Sequence, residues 1–215
     1  MRANHEIPNE FSRWTYSQHY FAEDCGEEVI EHILQHCPSP KGRTILGAQL
    51  LDEKKHVSFF TKITNQVGID ERAKAFADGY TSLIFEQTSI SEKIFCFQIL
   101  TEAISAALCQ WRLDNLSDNR FFAMDAEVLE DEVRHLKMGE CLLSICDDDE
   151  LSTTLTKVKQ RELIKSMNSV CQEAFLSAPD SGQVEWMKTM NREVAKRLLA
   201  EARHASFSLN SGRGL

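Results

Sequence analysis

Glu132 and His135 stand three residues apart in Asp131-Glu132-Val133-Arg134-His135, and Asp52-Glu53-Lys54-Lys55-His56 repeats that spacing. On a helix, residues three apart share a face, so each pair can offer a carboxylate oxygen and an imidazole nitrogen to one metal ion. Each pair has a partner 30 residues upstream: Glu23 before Glu53, and Glu102 before Glu132. One offset of 79 residues (132 − 53) therefore carries Glu23, Asp52, Glu53 and His56 onto Glu102, Asp131, Glu132 and His135. Four glutamates and two histidines are enough to hold two metal ions about 3.5–4 Å apart with bridging carboxylates. A single Glu-x-x-His on an amphipathic helix is commonplace. Two, each led by aspartate and each trailing a glutamate at one distance, point to a metal centre.

Four anionic side chains offset most of the charge on two divalent ions. Imidazole with carboxylate suits iron or manganese, whereas zinc sites more often use thiolates or closed tetrahedral sets. Open coordination positions would let dioxygen reach both metals. Asp52 and Asp131 precede the metal glutamates on a face that can turn toward the opposite histidine. A carboxylate accepting the remote imidazole N–H fixes its tautomer and raises its basicity. Lys55 and Arg134, one residue before each histidine, can pair with these aspartates or face solvent. Glu102 stands among Ile99, Leu100, Ala103, Ile104 and Ala106, where an ionised carboxylate is costly to bury without a partner. Glu27, one turn beyond Glu23, competes as the first ligand; the offset favours Glu23.

These residues need long helices to position them. With 9 Gly and 4 Pro in 215 residues, the chain is suited to few turns. The spacing predicts helices over about 16–35 and 44–66, broken by Cys37-Pro38-Ser39-Pro40. A shorter helix capped by Asp70 runs to about Phe85, and another starts at Ser89 or Ser91 and continues to about Leu116. A fourth long helix runs from after Ser117-Asp118-Asn119 to about Ile145. Two amphipathic helices, about 151–175 and 183–207, carry no comparable set and would cover the metal-binding core of about residues 16–146. The ligand set spans so much of the chain that residues 1–215 read as one domain. The acidic run Asp147-Asp148-Asp149 lacks the glycine and spaced ligands of a calcium loop.

A net charge of −9 without a basic stripe argues against nucleic acid as a partner. The N-terminus lacks a signal-peptide pattern, and no apolar run reads as a membrane span. Seven cysteines with no Cys-x-x-Cys pair read as reduced thiols in a cytoplasmic protein.

The arrangement of a glutamate, about 30 residues and then Asp-Glu-x-Arg-His resembles the ferritin-like di-iron oxygenases and oxidases. Val128–Glu140 is most similar to the aldehyde-deformylating oxygenases within that group, which also includes bacterial multicomponent monooxygenases. Lys55 departs from the usual arginine. The resemblance implies an all-α, ferritin-like four-helix bundle with additional helices. It implies Glu23, Glu53, His56, Glu102, Glu132 and His135 as ligands to two iron ions, or to a manganese–iron pair, with Asp52 and Asp131 as their outer partners. It further implies a hydroxyl near bound dioxygen, for which Ser105 is placed, although a serine bonding its own helix backbone fits as well.

The expected function is an O₂-activating non-haem di-iron oxygenase or oxidase acting on a small organic substrate. The alternative is a ferroxidase or iron-handling protein. No flavin or iron–sulfur motif is present, so electrons must come from an external donor or the substrate; a homodimer is compatible with this plan. Trp14, Tyr16 and Trp111 are candidates for electron transfer. Phe95, Phe97, Ile99, Phe121 and Phe122 are candidates for an apolar approach, with ordinary core packing as the competing role.

Overall fold

The computed structural model describes residues 9–116, 120–147 and 155–179, together with Lys196. Among them every regular element is helical: α1 (Asn9–His36), α2 (Pro40–Val67), α3 (Lys74–Phe85), α4 (Ile90–Asn115), α5 (Phe122–Asp147) and α6 (Lys157–Leu176). Local chemistry sets several boundaries. Ser39 accepts from the Gly42 N–H with Pro40 in the first turn of α2. Ser89 and Thr156 cap α4 and α6 in the same way. Such caps contribute about 1 kcal/mol each by satisfying an otherwise orphaned donor. Gly68, at φ 87°, ends α2 in a conformation that side chains with a Cβ rarely adopt. Asp70 caps the single 3₁₀ turn before α3, as expected.

Three features were not anticipated. Helix α1 starts at Asn9 rather than near residue 16, because Phe11 and Trp14 are fully buried and continue its apolar face. Helix α4 widens into a π-helical stretch over Phe95–Thr101, where the Thr101 hydroxyl reaches back five residues to the Cys96 carbonyl. By length and composition α4 passes for a membrane span, contrary to expectation, but its most apolar window is 89% buried within the protein. Its apolarity is taken up by the core.

Helices α1 and α2 pack as one pair and α4 and α5 as another; α2 lies against α5, and α3 crosses between the pairs against α1. Helix α6 covers α3 and the π-helical stretch. The expected last helix, about 183–207, lies outside the described residues, apart from Lys196. Along the helices two apolar clusters flank the polar centre. Tyr16, Phe60, Cys109 and Val128 lie on one side, and Ile30, Leu46, Leu100 and Leu142 on the other. Gly139 lets α5 approach α4, since a Cβ there would stand 2.6 Å from Gln98 Cβ. Cys25, Cys37, Cys96, Cys109, Cys141 and Cys171 are free thiols.

Candidate metal centre

All six residues singled out by the repeat converge, each at most 5% exposed. Their helical spacing turns every one inward: Glu23 from α1, Glu53 and His56 from α2, Glu102 from α4, Glu132 and His135 from α5. His56 Nδ1 lies 3.5 Å from Glu23 Oε2, 3.7 Å from Glu53 Oε2 and 3.7 Å from Glu132 Oε1. His135 Nδ1 lies 3.4 Å from Glu53 Oε1, 3.5 Å from Glu102 Oε2 and 3.6 Å from Glu132 Oε2. Glu53 and Glu132 thus turn one oxygen toward each imidazole, whereas Glu23 serves one end and Glu102 the other. The groups Glu23–Glu53–His56 and Glu53–Glu102–His135 each bring their donor atoms close enough together to hold a metal ion. Glu27 is only half-buried and takes part in neither.

Behind the imidazoles the bonding is crossed. His56 Nε2 is 3.1 Å from Asp131 Oδ2, and His135 Nε2 is 3.3 Å from Asp52 Oδ2. Each aspartate is also held by the cation next to the histidine it serves. Lys55 donates to Asp131 at 2.5 Å, and Arg134 donates to Asp52 at 2.7 Å while pairing with Asp131 at 2.6 Å. With Nε2 facing a carboxylate, each ring carries its proton outside and turns Nδ1 inward as an acceptor. His56 Nδ1, His135 Nδ1 and Glu132 Oε2 are buried without a hydrogen-bond partner. Three inward-facing lone-pair sites clustered together fit a cation, since buried polar groups otherwise find partners.

The electrostatics agree. Burial, then repulsion from Glu53, pushes the Glu23 carboxyl well above its usual range. Burial and the Glu132 charge do the same to Glu102. Burial also works against ionisation of Glu132, but bonding to Glu102 and His135 prevails and lowers it to about 2. Glu53 is lowered as well: burial opposes its ionisation, but bonding to His56 and Glu23 and the His135 charge together prevail. His56 and His135 are raised against the cost of burial, chiefly by Glu23 and Glu132 respectively. Without a cation such a cluster must share protons; two divalent ions would remove the conflict.

The ends of the centre differ. At the Glu102 end, Gln49 donates to Glu102 Oε1 at 2.7 Å and Glu53 Oε1 at 3.0 Å, and is itself held by Gln98 at 2.6 Å. At the Glu23 end stands His19, 3.5 Å from Glu23 Oε1 and 2.6 Å from the Ser105 hydroxyl. Its Nδ1 faces Arg112 at 3.0 Å, and Arg112 is fully buried against Asp125, which also accepts from Tyr16. Desolvation, reinforced by the Arg112 charge, keeps His19 neutral by lowering its pKa well below the usual value. The sequence reading missed His19, Gln49 and Arg112. The available signal was a histidine one turn before Glu23 and a glutamine one turn before Glu53.

A chamber opens beside the centre between α1, α3 and α4, walled by Ala22, Phe76, Phe97 and Leu108 with Gln18 and Ser105. Ser105 bonds His19, not its own helix backbone. Of the aromatics expected to shelter the site, Phe97 lines this chamber. Phe95 and Ile99 belong to the core, Phe121 packs on Tyr16, and Phe122 is exposed. Trp14 and Trp111 pack around Phe11. No family model matches the chain, and neither a curated protein nor a solved structure matches it.

Proposed function

We propose that the protein is an O₂-activating non-haem di-iron oxygenase or oxidase acting on a small organic substrate, built on a ferritin-like arrangement of α1, α2, α4 and α5. The observation that carries this reading is the pair of buried, unpartnered imidazole Nδ1 atoms, each ringed by three carboxylates at 3.4–3.7 Å. A donor set of two nitrogens and four carboxylates suits iron or manganese. It matches the inward Glu and Glu-x-x-His pattern of di-metal carboxylate bundles.

Two iron ions held there would supply reversible electron transfer to dioxygen. The chain's own residues supply the rest. His56 and Glu23 would hold one ion, His135 and Glu102 the other, with Glu53 and Glu132 shared. Asp131 and Asp52 orient the imidazoles and keep their protons on Nε2. Gln49 restrains Glu102 and Glu53, leaving Glu23 as the terminal carboxylate that no amide side chain holds among the described residues. Phe76, Phe97 and Leu108 exclude water from the chamber and give an organic molecule an apolar place beside the centre. That chamber favours an oxygenase over an iron store.

Anaerobic titration with Fe(II) tests the proposal: about two ions per chain should bind, the number two half-sites allow. Exposure to O₂ should then consume it without further iron uptake. Fewer than one firmly held transition metal per chain would overturn the metal assignment. Sustained uptake of many Fe(II) ions per chain, ending in ferric mineral, would establish iron handling instead.

A further inference from the structure

We infer that the chamber recognises a small uncharged organic molecule by a group that both donates and accepts a hydrogen bond: it would donate to Gln18 Oε1 and accept from the Ser105 hydroxyl, with an apolar body against Phe76, Phe97 and Leu108. The inference rests on the oxygenase reading only in calling that molecule the substrate.

Gln18 supplies the first observation. It is 2% exposed and lines the chamber, and its Oε1 is buried without a hydrogen-bond partner. An acceptor buried in this way is costly unless something donates to it. The chain places it where a ligand can.

The second observation is the direction of the bonds that reach Ser105. A guanidinium only donates, so His19 Nδ1, 3.0 Å from Arg112 Nη1, must accept. The neutral ring then carries its proton on Nε2 and donates it to Ser105 Oγ at 2.6 Å. With its oxygen accepting from His19, Ser105 has its own proton left to give. Arg112 cannot turn away, because Asp125 holds its Nε at 2.8 Å and its side chain lies over the Tyr16 ring. A buried chain from Asp125 through Arg112 and His19 therefore ends in one oriented hydroxyl donor at the chamber wall.

The remaining wall residues restrict the ligand further. Among the described residues no lysine or arginine lines the chamber, so an ionised carboxylate or phosphate meets no side-chain counter-charge from them. A molecule that only accepts, such as an aldehyde, would satisfy Ser105 and leave Gln18 unpaired. Alcohols, neutral arylamines and carboxamides satisfy both.

Calorimetry on the anaerobic Fe(II)-loaded protein decides this with six probes of one size: benzyl alcohol, aniline, benzamide, benzaldehyde, toluene and benzoate. At least one of the first three should bind about tenfold more tightly than benzaldehyde, toluene or benzoate, and the best of the three identifies the group. Gln18→Leu and Ser105→Ala, checked for retained helicity, should each bring that probe to within about twofold of toluene. Equal binding of toluene or benzaldehyde, preference for benzoate, no binding of any probe, or a preference that survives both substitutions would overturn the inference. Metal content is counted separately on the same samples. Two ions without the preference would leave the oxygenase reading and remove this one; the preference in a protein that holds no metal would do the reverse.

Discussion

The first half of the centre, from α1 and α2, and the second, from α4 and α5, are copies at the atoms that face inward and differ in what stands behind them. The 79-residue offset matches Glu for Glu, His for His and Asp for Asp. The same offset sets His19 against Gln98, Gln49 against Val128, Gly26 against Ser105 and Leu46 against Asp125. The π-helical stretch precedes Glu102 and has no counterpart in α1 before Glu23. A symmetric cage is what two equivalent cations require. The asymmetry sits behind the ligands: Gln49 bonds Glu102 and Glu53, while His19 and Ser105 line the chamber that all four glutamates also face. On the proposed reading the common positions would hold metal, and the differing ones would meet dioxygen and substrate.

Deleting common positions should have the largest effect. Glu53→Ala and Glu132→Ala, which remove an oxygen from both ends, should reduce Fe(II) content from about two per chain to none that survives gel filtration. Glu23→Ala and Glu102→Ala should each spare one ion, and Glu27→Ala should spare both. Metal analysis after anaerobic loading gives the ranking. If Glu27→Ala loses an ion and Glu23→Ala does not, the pairing of halves is wrong.

The crossed aspartates should be next. Asp131→Asn and Asp52→Asn should each weaken metal binding by about 10–100-fold, as losses behind a ligand typically do. Asp131 should cost more, because its side chain is 7% exposed and held by His56, Lys55 and Arg134, whereas the Asp52 side chain is 23% exposed. Chelator competition measures both. Equal losses would mean that burial of the partner does not matter.

A smaller effect follows from pH. In protein stripped by a chelator, Glu23 and Glu102 have raised pKa values in the folded state, so stability falls as pH rises above their unfolded range. His56 and His135 are also raised; their contribution is complete below about pH 6.5 and is lost as pH rises through the folded values. His19, lowered by burial, acts oppositely as pH falls below its unfolded value. Four groups oppose one, so the stripped protein should melt on the order of 5 °C higher at pH 5.5 than at pH 8. Metal-loaded protein should show the reverse, because the ligands must be deprotonated to bind. Calorimetric melting of both forms checks the sign, and a stripped protein more stable at pH 8 would contradict the proton-sharing cluster.

What was legible in the sequence follows the same division. The common residues could be read because each half announces itself within one helical turn and the other half repeats it. Glu23 could be preferred to Glu27 for the same reason. His19 could not, since its part depends on Ser105 and Arg112, 86 and 93 residues away. Arg112 could not be singled out either, since its part depends on the buried pairing with Asp125. The π-helical stretch lies in an apolar run with no glycine or proline to mark it. The start of α1 at Asn9 was missed because only packing shows Phe11 and Trp14 inside.

The smallest effect should come from a difference that is only apparent. Lys55 stands where the second half has Arg134, and the sequence alone makes that the visible departure from the repeat. Its ammonium already reaches Asp131 at 2.5 Å and Glu127 at 3.3 Å, so the remote imidazole keeps its carboxylate. Lys55 and Arg134 are 35% and 46% exposed, and exposed ion pairs contribute about 0–1 kcal/mol. Lys55→Arg should therefore change stability by no more than about 0.5 kcal/mol and metal affinity by less than about threefold. Denaturant titration and chelator competition would register more. A tenfold gain in affinity at the His56 end would show that lysine weakens the first half, and that the two halves differ at the metal as well as around it.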